Sequence, residues 1–315
     1  MRKLILILAV TLLALPAVAS AGLDSRDLPP GSTWYFHIDF KEMRSSKSGR
    51  YLYDWLDREA FAEILEETGV DLSKELDMLT AFGTGDLGPV ILLQGNVSQD
   101  SQDKMMAAAA MHGSMQNFKS KGKTFYFVEG DDDHDSDEDE VETGDVEITV
   151  DSFDDGAYFS FAVPNRVIIT PSREQMEAML ASGGKVNGSK GARNALLVLS
   201  AESNLLQAGA NAKEIGVESD DWDSNILQNT KEFALLIAGV GNQIALDARL
   251  VTTGSDIADS MASIARGLIG LAALSGEVEP EVAELLRGTK VDVEDNELQI
   301  SIAMDPEAFV TMLDN

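Results

Sequence analysis

Several short stretches carry residue types that could do chemistry. The densest is GDDDHDSDEDEVETGD at 130–145, where nine of the twelve residues from Asp131 to Glu142 are acidic. Calcium takes six to eight oxygens, and an EF-hand loop offers them at positions 1, 3, 5, 7, 9 and 12. Counted from Asp131, those positions are Asp131, Asp133, Asp135, Asp137, Asp139 and Glu142. The glycine the loop needs at position 6 is Ser136, and the apolar anchor at position 8 is Glu138. The sequence therefore points to a solvated acidic loop. Weak binding of calcium or another divalent cation through 131–142 is the sharper alternative.

The second stretch is His37-Ile38-Asp39. An imidazole and a carboxylate at i and i+2 share one face of a strand, as a general base and its orienting acid would. This pair is the only support for a hydrolase with a dispersed site. The commoner role for such a pair is a structural hydrogen bond. The other histidines, His112 and His134, stand in no zinc spacing, and the chain has no cysteine.

Ser101-x-x-Lys104 and Ser182-x-x-Lys185 match S-x-x-K but lack its companion boxes. GGKVNGSKG at 183–191 has phosphate-loop glycines in the wrong order and reads as a linker. Met105, Met106, Met111 and Met115 could form a soft surface, but their setting on an Ala-rich helix predicts a core-facing stripe. No catalytic, cofactor-binding or metal-binding residue is assigned, and no cofactor is implied.

Charge narrows the partners. Acids number 54 against 24 Lys and Arg, for a net charge of -30, and most of the acids lie outside the 131–142 run. Such a surface repels nucleic-acid backbones and anionic lipid. The expected partners are a protein or a small-molecule ligand, with no nucleic acid, and with no membrane once the N-terminal segment is removed.

MRKLILILAVTLLALPAVASAGLD opens the chain. Arg2 and Lys3 precede an apolar run over 4–15, and Ala19-Ser20-Ala21 is a cleavage signal. Twelve helical residues would span only about 18 Å, too short for a bilayer core. Residues 1–21 are thus expected to be a signal peptide. With no cysteine to lipidate, the mature protein is expected to be periplasmic or extracellular, without a lipid anchor. The apolar helix near 255–274 carries Asp256, Asp259 and Arg266, which argue against a second span.

The elements that must position these residues follow from periodicity. TWYFHIDF alternates as a half-buried strand, with Trp34, Phe36, Ile38 and Phe40 on one face. A helix over 51–69 stops at Gly69. Two strands flank GDLGP, an Ala/Met helix runs from about 98 to 118, and KTFYFVEG is a strand. A meander follows the acidic run, and SREQMEAMLASGG is a helix capped by Ser172. Then come a strand over ALLVLSAE, a helix over NLLQAGANAKEIG, and a hairpin turning at Gly241-Asn242. A long helix follows with Ile257, Met261, Ile264, Leu268 and Leu271 on its core stripe. A hairpin turning at Asp295-Asn296 and a helix capped by Asp305 close the chain.

The order predicts an α+β fold. Two ferredoxin-like repeats of mainly antiparallel strands, at 28–183 (with the acidic loop 130–145) and 192–315, carry helices packed on one face. The halves join edge to edge, with a ligand groove between them. LPPGSTWYFHIDFKEMRSS, PVILLQGNV and DNELQISIAMDPEAF resemble the corresponding stretches of uncharacterised secreted bacterial proteins with a duplicated α+β layout. The resemblance implies that fold and offers no catalytic residues. The function expected is a non-catalytic binding or interaction module.

Overall fold

The computed structural model describes residues 32–83, 88–129, 153, 156–185, 194–202, 228–274 and 280–314. The N-terminal segment, the acidic run 130–145 and the helix expected over NLLQAGANAKEIG lie outside the described residues.

Strand β1 spans Trp34–Asp39. It ends one residue before Phe40 because the Asp39 carboxylate accepts from the Glu42 N–H at 2.7 Å, capping helix α1, Phe40–Ser45. Phe40 is therefore a buried helix residue and not the last strand position. Helix α2, Gly49–Leu56, runs through a π-helical turn at Asp57–Phe61 into α3, Ala62–Thr68. Gly69 stops it in the left-handed region at φ 70°.

Strands β2, Leu76–Gly83, and β3, Pro89–Gly95, follow. Helix α4, Gln99–His112, ends earlier than its composition suggests. Met115–Ser120 is strand β4, paired with β5, Lys123–Val128. The methionines do not form a buried stripe: Met105 packs against the core, whereas Met111 is 86% exposed.

Strands β6, Ala157–Val163, and β7, Arg166–Thr170, lead to helix α5, Arg173–Ser182, which Ser172 caps and Gly183 ends. Then come β8, Ala195–Glu202, β9, Thr230–Val240, and β10, Gln243–Thr252. Helix α6, Ser255–Leu274, precedes α7, Pro280–Arg287, a helix that the periodicity did not reveal. Strands β11, Lys290–Glu294, and β12, Glu297–Met304, precede α8, Pro306–Leu313.

The twelve strands of the described residues form one sheet, in the order β11-β12-β10-β9-β8-β1-β2-β3-β7-β6-β5-β4. Every neighbouring pair is antiparallel. The large antiparallel α+β sheet is as expected, but its strand order is not ferredoxin-like. That order would place the first strand beside the third; here β1 lies between β2 and β8. Consecutive strands on short connections pair with each other, and the second edge of β1 is taken by β8. Read outward from the β1–β8 join, the order is 1-2-3-7-6-5-4 on one side and 8-9-10-12-11 on the other.

The larger core lies on the face where Ile38 and Met43 meet Leu196, Leu235, Ile244 and Ile302 under α1, α2, α6 and α8. On the opposite face Tyr35, Phe82, Leu92, Phe125 and Ile168 pack with Met176 and Leu180 of α5. The helices are thus on both faces, not one. Residues of β1 alternate between two buried surfaces, so each face needs its own cover.

Candidate ligand groove

His37 sits on β1 at 8% exposure, and its Nδ1 is 2.9 Å from the hydroxyl of buried Thr80 on β2. Its ring stacks beside Tyr35 at 6.1 Å between centroids. Asp39 is occupied as the α1 cap. The two side chains therefore serve a strand pair and a helix end, and neither lines the groove described below. Among the described residues, no cluster of three or more His, Asp and Glu is placed to hold a metal.

Burial lowers the His37 pKa below the ordinary imidazole value, against the opposing pull of the Asp39 charge. Between that lowered value and roughly pH 6.5 the unfolded chain takes up a proton that the folded protein does not. Stability should therefore fall as pH drops through this window, by at most about 1.4 kcal/mol per pH unit from this group. Urea unfolding of wild type and His37→Gln between pH 7.5 and 5 checks this. The glutamine can keep the Thr80 bond without titrating, so its stability should be the less pH-dependent of the two.

A concave site lies elsewhere, where α6, α7 and β11 meet. It is a groove of ≈ 580 Å³. Helix α6 turns small residues toward the sheet, burying Ala258, Ala262, Ala265, Ile269 and Ala273. Of the stripe expected in the core, Met261 packs against it, but Ile264 is 40%, Leu268 38% and Leu271 69% exposed, and Leu274 beyond them is 81% exposed. Alanines let the helix axis approach the strands closely, and larger side chains on that face would hold it off. The same helix is, among the described residues, the one long and apolar enough to cross a membrane by length and composition. Its three charges do not exclude it from that class.

Ile269, Ala273, Leu274 and Leu286 supply the apolar wall of the groove, and Gly270 opens it. Arg266, Arg287 and Lys290 bring three cations to it, against one acid, Asp292. The Arg266 guanidinium donates to the Val291 carbonyl at 2.6 Å and that of Arg287 to the Ala273 carbonyl at 3.3 Å. Both are thereby held at the groove. Thr289 also lines it, and its hydroxyl oxygen is buried with no hydrogen-bond partner. Cations fixed beside an apolar wall suit an anion that carries an apolar body.

This groove is at the β11 end of the sheet. At the join between the halves, β1 and β8 are hydrogen-bonded edge to edge from Trp34–Ala201 to Ile38–Leu197. Sequence reading missed Arg266, Arg287, Thr289 and Lys290. The available signal was LLRGTK at 285–290, two cations and no acid in a chain of net charge -30.

No family model and no curated protein matches the chain. Among solved structures it is similar to TP0453, a bacterial protein. Crystal form III gives a TM-score of 0.47 at 9% identity, over 93% of this chain and 99% of that one. Crystal form IV gives 0.47 at 9%, over 94% and 98%. At these values the likeness assigns neither a family nor an activity.

Proposed function

We propose that this chain is an exported, non-catalytic binding module whose ligand seat is the α6–α7–β11 groove. The observation that carries this is the grouping of Arg266, Arg287 and Lys290 on an apolar wall in a chain of net charge -30. The ligand is a small organic anion with an apolar body. Export to the periplasm or the cell exterior rests on the N-terminal segment 1–21. An internal duplication is supported by the matched orders 1-2-3-7-6 and 8-9-10-12-11 about the β1–β8 join, with β4 and β5 added to the first half. The two seats in such a pair need not be alike: the cations at 287 and 290 belong to the second half alone.

The test uses 1-anilinonaphthalene-8-sulfonate, an aromatic anion whose fluorescence reports binding. A Cβ at Gly270 would meet nothing within 4 Å, so Gly270→Leu is the variant that narrows the groove. It also improves helix propensity. Lys290→Glu reverses one groove charge at an exposed position. Each variant is expected to bind the dye about tenfold more weakly, Lys290→Glu through loss of one charge-assisted contact and Gly270→Leu through the space it takes, with a melt no lower than wild type. Binding equal to wild type in both variants would remove the groove as the seat.

A further inference from the structure

Among the described residues the sheet has two outer strands, β11 and β4, and they are not treated alike. An outer strand presents unpaired N–H and C=O groups that can accept another strand, so proteins block the edges they do not use. On β11 the Val291 carbonyl is held by Arg266 at 2.6 Å, and Lys290, Asp292 and Glu294 line the strand.

Among the described residues no side chain holds an outward main-chain group of β4, and Lys119 is its single charged residue, against three on β11. The turn from β4 to β5 is Lys121-Gly122, with φ of 48° and 82°. That is the two-residue turn whose flanking residues, Ser120 and Lys123, exchange both main-chain bonds. By alternation Phe118 bonds to Phe125 and Gln116 to Phe127. Met115, Asn117 and Lys119 therefore turn their N–H and C=O groups away from β5, to the open edge. Four of the six β4 residues are exposed, and no proline interrupts them.

The edge also has a charge and two different faces. Lys119 on β4 and Lys121 in the turn bring two cations to this end of the edge, and Glu129, which accepts from the Ser114 hydroxyl, is the acid at its other end, in a chain that carries -30. On one face of β4, Phe118 stacks on Phe125 at 5.5 Å with the Arg173 guanidinium 4.9 Å above its ring. Lys119 is on the other face.

We propose that the β4 edge is a docking site for an extended acidic segment of a partner protein, which adds as a thirteenth strand. The segment that fits alternates apolar residues, placed beside Phe118, with Asp or Glu, placed beside Lys119. A second copy of this chain fits less well. It would bring the same lysines to the same edge, and each copy carries -30.

The experiment is fluorescence anisotropy of the full chain with a labelled peptide of about seven residues alternating Val and Glu, against a control alternating Val and Lys. Asn117→Pro removes an N–H that points to the open edge and leaves the β4–β5 ladder intact, so it should melt as wild type. It should weaken the Val/Glu peptide about tenfold or more. Lys119→Glu should weaken it several-fold and flatten its salt dependence, and it stands as the test if the proline variant does not fold. Equal binding of the two peptides, no binding of the Val/Glu peptide, or retention of wild-type affinity in a folded variant each overturns the proposal. So does a dimer in sedimentation that Asn117→Pro abolishes, which would assign the edge to a second copy.

Discussion

Phe125→Ala is expected to lower stability by about 3–5 kcal/mol. Phe125 is fully buried on β5, in the core that faces α5. Its ring stacks on Phe118 at 5.5 Å, tilts against Tyr158 at 6.2 Å and lies under the Arg173 guanidinium at 5.9 Å. Truncation removes the ring and all three partners' contacts. The void persists because Phe118 and Tyr158 are fixed on the flanking strands β4 and β6. Urea unfolding reads the effect as a lowered midpoint at unchanged slope. Phe125→Leu should recover most of the loss. A cost below about 1 kcal/mol for the alanine would mean that this face is not a packed core.

Val198→Pro is expected to abolish the folded protein at room temperature. Val198 is 1% exposed in the middle of β8, paired with His37 on one side and Leu236 on the other. A proline there removes a ladder bond and forces its ring into a strand with neighbours on both edges. Substitution at this point should unfold both halves together. The larger core mixes Ile38, Phe40 and Met43 from one side of the join with Leu196, Ile244 and Ile302 from the other. Trp55 and Arg58 also bond across the chain to Asp314. Circular dichroism and a thermal melt check this. A surviving cooperative transition with wild-type midpoint for one half would show that the halves fold separately. The contrast with Asn117→Pro is instructive: the same ring is tolerated where the N–H faces outward.

The local elements were legible wherever their signals are local. Glycine at 69 and 183, the Gly241-Asn242 and Asp295-Asn296 turns, and the caps at Ser172 and Asp305 all act within a few residues. Their stereochemistry is independent of what packs above them. Strand β4 was lost inside a helix because MQNFKS has no alternation strong enough to separate it from the Ala/Met run before it. Its strand character comes from pairing with β5. Helix α7 escaped notice because eight residues give too little periodicity to stand out.

The candidate groove was not legible for a related reason. Its cations come from α6, the end of α7 and the start of β11, and only packing brings Arg266 to Arg287 and Lys290. Conversely, His37 and Asp39 are neighbours in sequence and do different work, because Thr80 and the Glu42 N–H lie closer to hand.

By itself, the sequence determined the α+β class, the antiparallel hairpins, the turn and cap positions and the acidic surface, all set by short-range stereochemistry and composition. Only the tertiary structure decided the strand order, the second covered face, the outward turn of Leu268 and Leu271, and the groove. Those depend on which faces meet. A helix with alanine on one side and leucine on the other has two apolar stripes, and the sheet takes the one that lets the backbones come closer.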